Sequence, residues 1–299
     1  MTIRFRDRRA FTLVEVMVVM VIIVVLLGLS AAFLPRALEN SRAIRGAEQL
    51  QGWLLIAKNR AVREKRASGV ILRLASETPD DPGHNDPRFA GCVQTLNYIQ
   101  QPDDFTGGMF VKATGATLQF SGVDFRGGLG EQQKSSWPVQ KGDYVEVQGG
   151  GLVAVIAEDP GTATLTCPSW AGRPPVPPTS QYRIIRGPRV LSGEAKLLMP
   201  QDVVIDLRLS RLFPSGQSLL ESGVRWLLFS PSGSVSLWGA ANNGGKIVLW
   251  IRDVNREPTE GEPTLIVIDV RTGLIAAHPV AKSGGDPYRF ALEPRSSGM

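Results

Sequence analysis

The chain has 299 residues, 43% of them hydrophobic and 20% charged, which excludes a disordered tail and allows one or two buried cores. Its net charge of +5 is concentrated in the first ten residues, MTIRFRDRRA, where four arginines face one aspartate. Basic charge packed ahead of an apolar segment is explained by the retention of positive segments on the cytoplasmic side of a membrane, so no nucleic-acid partner is expected despite the basic balance.

Residues 11–34 follow as an apolar run in which Glu15 is the sole ionisable group. As a helix this run reaches roughly 36 Å, enough to span a bilayer. A charged side chain within such a helix costs roughly 2.5–3.5 kcal/mol on insertion scales and marks a function. Three readings compete. Ser30-Ala31-Ala32 is a small-x-small triplet, and Arg8-Arg9 is the pair found in twin-arginine leaders, as an ordinary export signal would have. Against that, the run exceeds the 7–15 residues of a signal core and carries an acid. The others are a permanent anchor, with Glu15 snorkelling to the headgroups, and a helix that both anchors and assembles.

The stretch Ala10-Phe11-Thr12-Leu13-Val14-Glu15, followed by the apolar helix, resembles the type III signal of type IV pilins and type II secretion pseudopilins. The resemblance implies that a prepilin peptidase cuts between Ala10 and Phe11 and methylates the new amino terminus. The family usually has glycine before the cut; Ala10 keeps that side chain small. It also implies that Glu15 pairs with the Phe11 amine of a neighbouring subunit. Two charges that are costly alone then become tolerable together and specify the register of otherwise featureless helices.

From residue 35 to 66 the pattern becomes amphipathic. Ala43, Ala47, Leu50, Leu54, Ala57 and Ala61 recur at three- and four-residue spacing and predict one apolar stripe, with Arg45, Glu48, Lys58 and Arg60 on the opposite face. Pro35 lacks an amide proton and is expected to bend or interrupt the helix. The lead into a strand through AKNRAVREKRASGVILRL resembles H-type minor pseudopilins.

Beyond Ala67 the period changes to that of strands: SGVILRLA, then a Pro/Gly/Asp-rich loop to residue 108, then GDYVEVQGGGLVAVI, DVVIDLRL, GVRWLLF, KIVLWIRD and TLIVIDVRTGLIAAHPV. Short turns such as PSGS and VRTG favour antiparallel pairing. Residues 109–188, with the four-proline linker SWAGRPPVPPTSQ, exceed a minimal pilin-like domain and read as an inserted β-rich module, a small barrel or a β-insertion; residues 189–299 close the pilin-like sheet. The expected fold class is α+β: leader 1–10, membrane helix 11–34, amphipathic helix 35–66 on an antiparallel sheet, and the insertion.

No Walker loop, HExxH or GxSxG occurs, and no enzyme activity or cofactor is expected. His84 and His278 are the two histidines; a lone loop histidine reads as solvated. Asp253, Asn255, Glu257, Glu260 and Glu262 place oxygen donors in one loop but lack the glycine of a calcium loop, so no metal is assigned. Cys92 and Cys167 permit one disulfide in an exported domain, or two buried thiols. The resulting expectation is an inner-membrane, single-pass subunit with its C-terminal domain outside the cytoplasm. Its partners are a prepilin peptidase and other pilin-like subunits. The alternative is an exported or tethered β-rich binding protein.

Overall fold

The computed structural model describes residues 13–148, 153–237, 245–282 and 285–292, with the side chains of 29–41 excepted. The leader 1–10, with Ala10, and Phe11 therefore lie outside the described residues.

One helix, α1 (Leu13–Glu64), runs for 52 residues, and the interruption expected at Pro35 does not occur. A proline removes a single i→i−4 bond, which the intact ladder on either side can carry. The helix ends where Lys65 takes a left-handed φ of 56°, the usual backbone of a helix stop.

The predicted stripe is buried: Ala47, Leu50, Leu54, Ala57 and Ala61 are each 1% exposed or less, and Ala43 is buried as well. It packs on two antiparallel sheets instead of one. The first orders β10 (Arg189–Val190), β3 (Thr95–Gln100), β1 (Ser68–Arg73), β14 (Trp226–Phe229) and β15 (Val235–Leu237), with β11 (Leu197–Leu198) on the far end of β3. The second orders β13 (Gln217–Ser218), β12 (Val203–Phe213), β16 (Lys246–Asp253), β17 (Thr264–Asp269) and β18 (Ile275–Pro279), with β2 (Cys92–Val93) on β12. Val70, Leu72, Leu227 and Phe229 of the first sheet and Ile205, Leu249, Ile251 and Ile266 of the second share one core with the helix stripe.

Gly46 shows why a helix interior accepts glycine here. A Cβ at that position would lie 2.6 Å from Val203 Cγ1, so the helix reaches the second sheet only without one. Lys58 and Arg60 are displaced from the solvent face expected of them. Lys58 Nζ donates to the carbonyls of Thr272 (3.1 Å) and Gly273 (2.8 Å), while Arg60 stacks 5.2 Å from the Tyr98 ring and pairs with Glu194. Lys58 thus ties the helix to the β17–β18 turn, where Gly273 (φ 60°) passes so close to Gly233 O that a Cβ would sit 1.9 Å from it.

Residues 105–185 enclose a second core. One sheet there orders β4 (Met109–Thr114), β5 (Thr117–Ser121) and β8 (Thr164–Thr166); the other orders β7 (Val153–Val155), β6 (Tyr144–Val147) and β9 (Tyr182–Ile185). They are stitched together on both sides. Ala157 N donates to Thr166 O at 2.9 Å on one, and the bridges Phe105–Ile184 and Phe110–Thr179 join the other, so six strands close around Phe110, Phe120, Phe125 and Trp170. Phe120 and Phe125 meet edge to face at 5.0 Å, the arrangement their ring quadrupoles favour.

Candidate functional site

From Leu13 to Leu27 every large apolar side chain of α1 is exposed, between 44% (Ile23) and 77% (Leu13). Nine of these fifteen residues are Val or Ile, a composition that favours strands, yet the segment is helical. A helix closes its own backbone hydrogen bonds, which is what an apolar surface needs if lipid or another apolar helix is to cover it. Glu15 lies in the first turn, and Val16, Val19, Met20 and Ile23 line a shallow groove with it. Among the described residues no helix is long and apolar enough to cross a membrane. The described side chains of the run stop at Gly28, inside the 11–34 segment expected to span.

The outer face of the second half of α1 is mixed. Beside Arg45 and Glu48 it leaves Ile44, Leu55, Ile56 and Val62 40–50% exposed, which the stripe analysis did not anticipate. These residues give the outer face of the second half apolar patches of its own.

Two buried ionic groups also escaped the sequence reading. Asp206, 1% exposed on β12, accepts hydrogen bonds from Arg208 Nη2 (2.9 Å) and Arg252 Nε (2.9 Å). Burial pushes its carboxyl up, but the Arg208 hydrogen bond and the charges of Arg252 and Arg208 outweigh that and hold it below its ordinary value. The signal was present as Asp-x-Arg in DVVIDLRL, since residues two apart on a strand share a face. Asp143, fully buried at the start of β6, accepts from Gln140 N (2.8 Å), Gly187 N (2.7 Å) and Arg189 Nη2 (2.8 Å to each oxygen). Because Arg189 belongs to β10, this carboxylate clamps the closed six-stranded unit to the first sheet.

The remaining flagged residues do not converge. Cys92 and Cys167 are free thiols in separate clusters, so the disulfide permitted by the sequence is not formed. Burial pushes them up to about 11 and about 12, which keeps both protonated and unreactive. The Nδ1 atom of His84 lies 3.2 Å from Ala75 O, which ties that ring to its own loop. His278 is buried in β18, where burial and then Lys246 push it down. In the acidic loop, Asp253 accepts from Asn255 N, Asn255 accepts from Arg88, and Glu262 pairs with Lys282. Among the described residues no group of His, Cys, Asp or Glu could hold a metal ion.

Residues 5–31 match the prokaryotic N-terminal methylation motif, the signal of type IV pilins and pseudopilins. The match covers Ala10, Phe11, Glu15 and most of the apolar run. No curated protein and no solved structure matches the chain.

Proposed function

We propose that the chain is a minor pseudopilin, most like the H type, that is processed by a prepilin peptidase between Ala10 and Phe11. It then assembles with other pilin-like subunits into the filament of a type II secretion or type IV pilus-like system for protein export. The observation that carries this reading is the coincidence of the methylation motif at residues 5–31 with one continuous helix, exposed and apolar at its start and built into a β-rich body at its end. That signal indicates a structural subunit and membrane anchoring.

The physical division of labour follows from the helix. Residues 11–34 hold the subunit in the inner membrane, with the body outside the cytoplasm. Cleavage frees the Phe11 amine, and Glu15 of one subunit pairs with the Phe11 amine of the next. Each charge is costly in lipid by itself, and together they specify axial register. The exposed Ile44, Leu55, Ile56 and Val62 extend the surface available to a neighbour's helix. Because α1 is continuous into the body, a shift of the membrane half moves the body with it.

Mass spectrometry of the mature N-terminal peptide tests the processing step, and a methylated Phe11 is the expected result. An intact Met1 chain from cells that have the peptidase overturns it, and a chain starting at Phe33 favours ordinary export. Glu15→Leu tests the pairing. This variant should be cleaved and retained in the membrane fraction yet lose crosslinking to other pilin-like subunits; normal co-assembly would remove the pairing mechanism.

A further inference from the structure

The body has a sheet edge that the assembly reading leaves without a role. Most outermost strands of its two sheets, β2, β10, β11, β13 and β15, are only two or three residues long, and Val235 at the start of β15 donates to Val270 O at 2.8 Å. The exception is β18, with five residues, Ile275–Pro279, and no Lys, Arg, Asp or Glu among them. Brevity and charge are the usual protections of a sheet edge against pairing with another chain, and β18 has neither.

The bonding pattern identifies the groups on its open side. Asp269 N donates to Leu274 O (2.9 Å) and Val280 N to Pro263 O (3.4 Å), so the pairs 269–274 and 263–280 are of the hydrogen-bonded type. In an antiparallel ladder that type alternates, which turns the backbone groups of Ala276 and His278 towards β17 and those of Ile275, Ala277 and Pro279 away from it. On the open side, Ile275 O accepts from Gln51 Nε2 of α1 at 3.3 Å. The N–H and C=O of Ala277 make no hydrogen bond to any described residue, and they are the paired donor and acceptor that an added strand uses.

One side of this edge is walled by α1. Gln51 and Lys58 occupy one line of the helix and touch β18 and the turn before it. Leu55 and Val62 follow them by four residues each and form the next line round the helix, 41% and 40% exposed. A strand added about 4.8 Å beyond β18 would run along that line, with alternate side chains on Leu55 and Val62. Ile56, about 100° further round, stays outside this contact. The free groups belong to a backbone and so select an extended peptide, and the methylation motif at residues 5–31 makes other pilin-like subunits the chains brought alongside. We propose that the open edge of β18 receives an extended strand from the body of a neighbouring pilin-like subunit, bonded at Ala277 and apolar at the alternate positions that face α1. This rests on the assembly reading and adds a strand contact to its helix contacts.

The test uses the full chain in cells that carry its other pilin-like subunits. Photo-crosslinking benzoylphenylalanine replaces Leu274, which is 65% exposed just before β18, and in a second strain Val19 in the apolar half of α1. The Leu274 crosslink, mapped by mass spectrometry, should fall in a strand of another pilin-like subunit. Ala277→Pro removes the outward N–H and leaves the bonds to β17, so it should lower that yield about tenfold at an unchanged melting temperature. Leu55→Ser should lower it as well, by removing the apolar wall. A Leu274 crosslink confined to a neighbour's helix, to a second copy of this chain or to no subunit overturns the strand contact, as does full yield in both variants. Val19 crosslinks that persist without those of Leu274 overturn the strand contact alone, whereas loss of both overturns the assembly reading with it.

Discussion

The two halves of α1 share one uninterrupted backbone and differ in where their apolar side chains go. From Leu13 to Leu27 these surround the helix and remain exposed; from Ala43 to Ala61 a single stripe is buried between two sheets. The difference teaches that helix continuity and helix burial are separate properties. The ladder of i→i−4 bonds needs only residues that tolerate it, whereas burial needs a partner surface of matching shape. The second half finds that surface within its own chain. Under the assembly reading, the first half finds it in lipid and in neighbouring subunits.

The most severe way to break the comparison is to place a charge in the stripe. Leu54→Asp should destabilise the body by roughly 5 kcal/mol or more, because it removes a buried leucine and strands a carboxylate in the core. Urea denaturation followed by far-UV circular dichroism measures this, and a near-parental midpoint would mean that the stripe does not hold the body together.

The body also rests on a buried ion pair, Asp206 with Arg252. Asp206→Asn should cost about 3–5 kcal/mol, since it leaves Arg252 buried without its charge partner. The same site predicts a pH dependence. The folded Asp206 lies below its ordinary value of 3.8, so its contribution is complete above that pH and is lost as the pH falls through the depressed value. Acid unfolding of the parent should therefore be steeper below pH 3.8 than that of Asp206→Asn, and parallel acid limbs would remove the argument.

Gly46→Val sharpens the comparison at the point where the helix meets the second sheet. A side chain there has to displace Val203, and overpacking of this kind costs about 1–3 kcal/mol; thermal melts give the value. The smallest effect is expected in the first half. Leu26→Ala should change the stability of the body by no more than about 0.5 kcal/mol, as for other surface positions, and a larger loss would show that the two halves are energetically coupled.

Local periodicity was enough to place the apolar run with its single acid and the stripe Ala43–Ala61, because side-chain spacing along one segment specifies which face turns inward. It was equally sufficient for β-rich sequence after Ala67. What periodicity does not encode is the surface an element meets. Ser68 pairs with Phe229 and Val93 with Ile205, partners more than a hundred residues apart, and such pairings divide the strands into two sheets around the helix where the pattern alone suggested one. The same limit hid Lys58 and Arg60, whose long stems reach carbonyls and an aromatic ring contributed by distant turns and strands. Asp206 and Asp143 look like surface acids until Arg252 and Arg189 arrive from other strands to compensate their burial. Cys92 and Cys167 look like partners until the chain encloses them in separate cores. The sequence by itself determined the helix, its two characters and the strand-rich body. The tertiary structure alone decided sheet membership, barrel closure and the charge pairings, because each depends on which distant segments share one volume.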